Sequence, residues 1–245
     1  MNIERDQAQF RSAKPSKLGR GIERLTHPFG KALASVVPKS LVETVLNALD
    51  RTVSAPQLVN FSHDVEDLQA CQDAAERVVR SARGISASTG AAAGLGGALS
   101  MSLDIPATIA IALRVIRDTG RAYGYSGDGS AEKLFRLQIL ELSALDDPDQ
   151  RAARIAALEN AIGANGQLVQ ADHEHIAPVI DQAVERVSRA VAFASFRSRA
   201  GMLVPIVGSV VGGLVNSSFQ KDVGRAARFA FQERRLRQSE PFAMS

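Results

Sequence analysis

The stretch TGAAAGLGGALSMSLDIPATIAIALRVIRDTGRAYGY, Thr89 to Tyr125, decides how the rest of the chain is read. From Ala91 to Leu113 its only charge is Asp104. The first half is almost all Gly, Ala and Ser; the second is Ile, Ala and Leu until Arg114 ends it. Glycine costs about 1 kcal/mol in a helix interior, so this many are kept where backbones must approach closely. The segment predicts a tightly packed helical hairpin, either at the centre of a bundle or poised for a bilayer. Its length meets the roughly 20 residues needed to cross a hydrocarbon core. Asp104 near the middle, however, costs roughly 3 kcal/mol in lipid, and Pro106 suits a helix start better than a helix centre. Leu203–Val215 is apolar and Gly-rich too, but too short to span. A hairpin buried in protein is therefore the expectation.

Outward from that hairpin the periodicity is helical. Ile22, Leu25, Phe29, Leu33 and Val36 predict a helix over Leu18–Val37, and Leu41, Val45 and Leu49 predict one over Ser40–Val53. A third runs from an N-cap at Ser62 to about Gly84, with Asp64 and Glu66 where the dipole favours acid. The second hairpin helix starts near Asp104. Gly124–Gly129 is a turn cluster, Ala131–Leu145 a mostly buried helix, and Asp147–Pro148 opens a helix through Ala161. Gly163–Gly166 turns the chain into a long helix, Gln167–Phe196, kinked at Pro178. The last helix covers about Leu214–Leu236. With few strand signals, the fold class is all-α: a multi-helix bundle around a central Gly/Ala-rich hairpin. The expected organisation is a loose segment 1–17, one helical domain 18–238 and a tail 239–245.

Composition limits the chemistry. There is no Trp, aromatics are 5% of the 245 residues, and Cys71 stands alone. That excludes an intrachain disulfide and any multi-cysteine zinc site, and points to a reducing, cytoplasmic compartment. The charged N-terminus lacks the apolar run of a secretory signal. Net charge is +3 but uneven: Met1–Arg51 has nine Lys/Arg against five Asp/Glu, Glu141–Arg189 four against nine, and Phe193–Ser245 eight against three. Basic ends around an acidic middle imply internal pairing, an anionic partner, or faces that are simply solvated.

The charged motifs point the same way. In the last helix Lys221, Arg225, Arg228 and Arg235 fall at i, i+4, i+7 and i+14, opposite Phe219, Val223, Ala226, Ala227 and Ala230. This is an ordinary amphipathic helix with a wet basic face, or a contact for anionic lipid or an acidic partner. Arg114, Arg117, Asp118 and Arg121 form a second stripe, in which an Arg114–Asp118 pair at i, i+4 is expected; its functional reading is a headgroup site. His173 and His175, two apart, do not share a helix face as a metalloprotease pair must. No metal and no cofactor is expected. Cys71 reads as inert core. No serine lies in a nucleophile elbow, Gly94–Ser100 lacks a phosphate loop's Lys, and nucleic-acid stacking groups are missing.

Taken in order, TGAAAGLGGALSMSLDIPATIAIALRVIRDTGRAYGYS, KLFRLQILELSA and VPIVGSVVGGLVNSSFQKDVGRAARFAF resemble EcsC-domain proteins. The shared features are a Gly-rich apolar segment, an Asp-hydrophobic-Pro step, a Tyr-Gly-Tyr turn, a buried Leu-rich helix and a late Pro-hydrophobic-Val-Gly…Asn segment. The resemblance covers about Asp64–Leu236. It implies a bacterial helical protein of the cytoplasm or the inner membrane surface, in a family named for a component encoded beside an ABC-type exporter, with no defined catalytic activity.

Three readings follow. The first is a non-enzymatic adaptor at the cytoplasmic membrane face beside an exporter, touching anionic lipid or the transporter through Lys221, Arg225, Arg228 and Arg235, with Arg114 and Arg121 as a weaker patch. The second is a lipid or small-hydrophobe carrier, or an unrecognised hydrolase, with Asp104, Arg114, Asn216 and Lys221 as polar groups in a cavity between the Gly-rich segments. The third is a scaffold whose basic faces pair with its own acidic middle.

Overall fold

The computed structural model describes residues 3–12, 39–94, 101–145, 147–169, 178–189 and 208–239. They form an all-α bundle: α1 (Ile3–Arg11), α2 (Lys39–Ser54), α3 (Leu68–Gly94), α4 (Met101–Ala122), α5 (Ser130–Ala144), α6 (Pro148–Asn160), α7 (residues 178–189) and α8 (Gly208–Ser239). Among the described residues the only β pairing is one isolated antiparallel bridge, Ile162 with Leu168. The helix expected over Leu18–Val37 lies outside the described residues.

The axis of the bundle is α8, whose 32 residues extend about 48 Å at the usual helical rise. It packs along α3, α4 and α5 and also touches α1 and α6. Helix α3 packs on α4, and the body of α4 is enclosed: Ile109, Ala112, Leu113, Val115 and Ile116 have no exposed surface. Among the described residues no helix is long and apolar enough to cross a membrane. Among the described residues two glycines within helices set close helix–helix approaches. A Cβ on Gly224 of α8 would collide with Cγ2 of Val79 on α3, and one on Gly120 of α4 would lie 2.7 Å from the Phe231 ring.

Local chemistry explains most boundaries. Asp147 caps α6 by accepting from the amides of Asp149 (3.0 Å) and Gln150 (2.9 Å), with Pro148 next. The Tyr-Gly-Tyr turn is a Schellman close to α4: Tyr125 N–H donates to Gly120 O (2.8 Å), Gly124 N–H donates to Arg121 O (3.0 Å), and Gly124 has φ +86°.

Several expectations are corrected. The cap of α3 is Asp67, not Ser62: its carboxylate accepts from the amides of Gln69 (2.9 Å) and Ala70 (3.0 Å). Nor does α3 stop at Gly84; it runs on to Gly94, because Val78, Ala82 and Ser86 continue a buried face across the exposed glycine. Helix α4 starts at Met101, so Asp104 is inside it and not its cap, and Pro106 is also internal. Gln167 does not open a long helix. Gly163 N–H donates to Gln167 O (2.8 Å) and Val169 N–H to Ala161 O (2.9 Å), a turn closed by the Ile162–Leu168 bridge. Finally, Ile3–Arg11, expected to be loose, is a helix docked on α8, with Phe10 stacked on Phe229 at 4.5 Å and Gln7 buried.

Candidate functional site

At the polar end of α4, Arg117 and Asp118 are almost wholly buried and pair at 2.7 Å. Arg117 Nη1 donates to Thr52 O and to Ala55 O (2.7 Å), and Nη2 donates to Pro56 O (3.1 Å). One guanidinium thus closes the carbonyl end of α2, where the helix dipole favours a cation. Asp118 Oδ2 accepts from Leu58 N–H (2.7 Å). The remaining cation near Asp118 is Arg121, at 3.7 Å and one-fifth exposed. The expected Arg114–Asp118 pair does not form: Arg114 Nη2 donates to Pro56 O instead (2.8 Å). This stripe therefore ties α4 to the end of α2.

The four cations singled out on α8 divide. Lys221 is exposed and Arg225 half-buried. Arg228 faces inward, 2.9 Å from Glu76 of α3 and 3.9 Å from Asp6 of α1. Arg235 donates to Glu66 (3.0 Å), to Val65 O (3.1 Å) and to Gln238 (3.2 Å). The C-terminal half of this stripe is covered by α1, α3 and the turn before α3.

Two of the most structured arginines escaped the sequence reading. Arg234, 1% exposed in its side chain, donates to Gly166 O (3.0 Å) and Glu132 (2.9 Å) and lies 3.8 Å over the Tyr125 ring. Arg136 donates to Asp128 (2.8 Å) and to Gly127 O. Their only sequence signal is position: both sit within otherwise apolar helical faces, beside Phe135 and Phe231.

Arg151 was missed as well. Its guanidinium lies 4.2 Å over Phe10 and donates to Phe10 O (3.2 Å). Phe10 in turn stacks on Phe229, one turn after Arg225 on α8. Burial lowers the Arg151 pKa, and the nearby charge of Arg225 lowers it further, while Asp222 opposes both. Arg225 and Arg151 therefore lie near one another at the junction of α1, α6 and α8, with Asp222 as the acid alongside.

A buried acid sits elsewhere. Glu141 of α5, 7% exposed in its side chain, lies 3.5 Å from Arg186 of α7 and 3.6 Å from Arg154 of α6. Burial pushes its carboxyl above the ordinary value, against the pull of Arg154 and Arg186. Cys71 is buried on α3 with its Sγ 3.3 Å from Val65 O, and burial raises its pKa. Among the described residues no group of His, Cys, Asp or Glu is arranged to hold a metal. His173 and His175 lie outside those residues. Asp104 and Asn216 fall within α4 and α8, and their side chains are outside the described set, as is any cavity between the two Gly-rich segments.

Over 211 residues the chain is 22% identical to the uncharacterized protein YdbA of Bacillus subtilis (strain 168), covering 84% of this chain and 69% of that protein. It is 20% identical over 232 residues to protein EcsC of the same organism, covering 92% and 90% of the two. No solved structure matches. The model of the EcsC protein family matches residues 2–236, nearly the whole chain. The chain belongs to the EcsC protein family.

Proposed function

We propose that this protein is a non-enzymatic adaptor that docks on an anionic surface at the cytoplasmic face of a membrane, the headgroups themselves or a transporter embedded among them. The observation that carries the reading is the face of α8 that bears exposed Lys221 and half-buried Arg225, the latter near Arg151 where α8 meets α1 and α6. Arg228 and Arg235 are committed to Glu76 and Glu66 inside the chain, so the contact narrows to Lys221 and Arg225. Each exposed basic residue near an anionic leaflet contributes about 1 kcal/mol. An exporter as the neighbouring machine is what the resemblance to a family named for an exporter-adjacent component implies.

Flotation on vesicles of phosphatidylglycerol and phosphatidylcholine tests this. Wild-type chain floats with the anionic vesicles and loses that binding as salt rises. K221E/R225E stays in the pellet fraction at every lipid composition. Equal flotation of K221E/R225E and wild type would overturn the proposal. In the scaffold reading basic faces pair with the acidic middle Glu141–Arg189; Arg11 pairs with Glu159 there, whereas Arg228, Arg234 and Arg235 pair with Glu76, Glu132 and Glu66 outside it, and the reading requires that wild type show no lipid dependence.

A further inference from the structure

We infer that the cleft between α2 and α4 is a binding site for a small anionic amphiphile, its carboxylate or phosphate head against Arg51 and Arg114 and its first carbons on Ala48, Ala55, Pro106 and Ala110. The cleft has a volume of about 240 Å³ and is open on one side. Small apolar side chains make much of its wall, and two guanidiniums complete it. No carboxylate lines it among the described residues. The space is smaller than the roughly 300–1,000 Å³ of a drug-sized pocket, so it holds a head and a short piece of tail, with the remainder leaving through the open side.

The electrostatics follow from the neighbouring helix end. Asp118, four residues after Arg114, is taken by Arg117 and Arg121, so it does not neutralise Arg114. The α2 terminal carbonyls are taken by Arg117, so they do not require Arg51. Neither Arg51 nor Arg114 is ion-paired among the described residues. Arg114 is pinned through Nη2 to Pro56 O (2.8 Å), and its buried Nε has no acceptor. An anion in the cleft supplies acceptors for charge-assisted hydrogen bonds from the two guanidiniums that line it. A held guanidinium also loses little freedom on binding. This site is separate from the Lys221–Arg225 patch and stands or falls without it.

Calorimetric titration of the full chain with octanoate, octanol and inorganic phosphate tests the inference. Octanoate binds, and octanol and phosphate each bind at least about tenfold more weakly, because head and tail are both required. R51Q/R114Q weakens octanoate by about tenfold or more, and A110L, which fills the cleft without touching a charge, does the same. Circular dichroism confirms that each variant is folded; if R51Q/R114Q is not, R51Q and A110L decide. K221E/R225E binds octanoate as wild type does, which separates this site from the proposed surface contact. Flotation of A110L on phosphatidylglycerol vesicles distinguishes the sources: reduced flotation identifies a bilayer lipid as the amphiphile, and unchanged flotation a free one. Octanoate affinity unchanged in A110L, or octanol equal to octanoate, overturns the inference.

Discussion

Asp118 is the residue on which the polar end of the bundle turns. It takes Leu58 N–H and two guanidiniums while having no exposed surface. Removing one partner of a buried pair leaves the other charged and unpaired, which costs about 3–5 kcal/mol. D118A should therefore lower stability by that amount in urea unfolding. R117M/D118L, which removes both charges, should lose less than the sum of the losses in R117M and D118A, because each single change leaves the other charge buried. Glu141 makes the opposite case. Its folded-state pKa is raised above the ordinary carboxylate value of 4.5, with burial as the leading cause. The folded chain holds a proton that the unfolded chain releases, so this group's contribution to stability declines as pH rises from about that value. Urea midpoints at pH 4 and pH 7 check this: wild type should lose ground relative to E141Q at the higher pH, and a constant difference between the two would remove the effect from Glu141.

At the scale of the element, close approach sets the tolerance to change. Gly224 lets α8 lie against Val79 of α3, where a Cβ would collide. G224A should cost about 1–3 kcal/mol by overpacking, and V79A/G224A should recover part of that loss, a coupling that a double-mutant cycle measures. Which elements were legible in the sequence follows from where their energy comes from. Asp147–Pro148 announced α6 because the cap is a contact between neighbours in the chain. The start of α3 was ambiguous because Ser62, Asp64 and Asp67 all have capping side chains; the Asp64 carboxylate accepts from Glu66 N–H (3.0 Å), in the turn before the helix. Helix α1 was illegible. Its nine residues carry little apolar surface, and its order comes from Phe229 and Gln232, more than 200 residues away. The basic stripe of α8 was visible in a helical wheel, but the wheel does not reveal that α8 is surrounded, so the burial of Arg234 and Arg235 and the pairing of Arg228 with Glu76 could not be read from it.

For the whole molecule, the question is what shelters an apolar, glycine-laden hairpin. Here α4 is walled in by α2, α3, α5 and α8, and the arginines around it hold backbone carbonyls and carboxylates of other elements. Such an arrangement places the greatest cooperativity at its centre, where opening requires global unfolding. Hydrogen exchange of the full chain in detergent-free buffer measures this directly. Amides of Ile109–Ala122 should exchange most slowly of all, at a rate unchanged when phosphatidylglycerol vesicles are added. Rapid exchange across Ile109–Ala122 in plain buffer, slowed only by vesicles or detergent, would contradict the account.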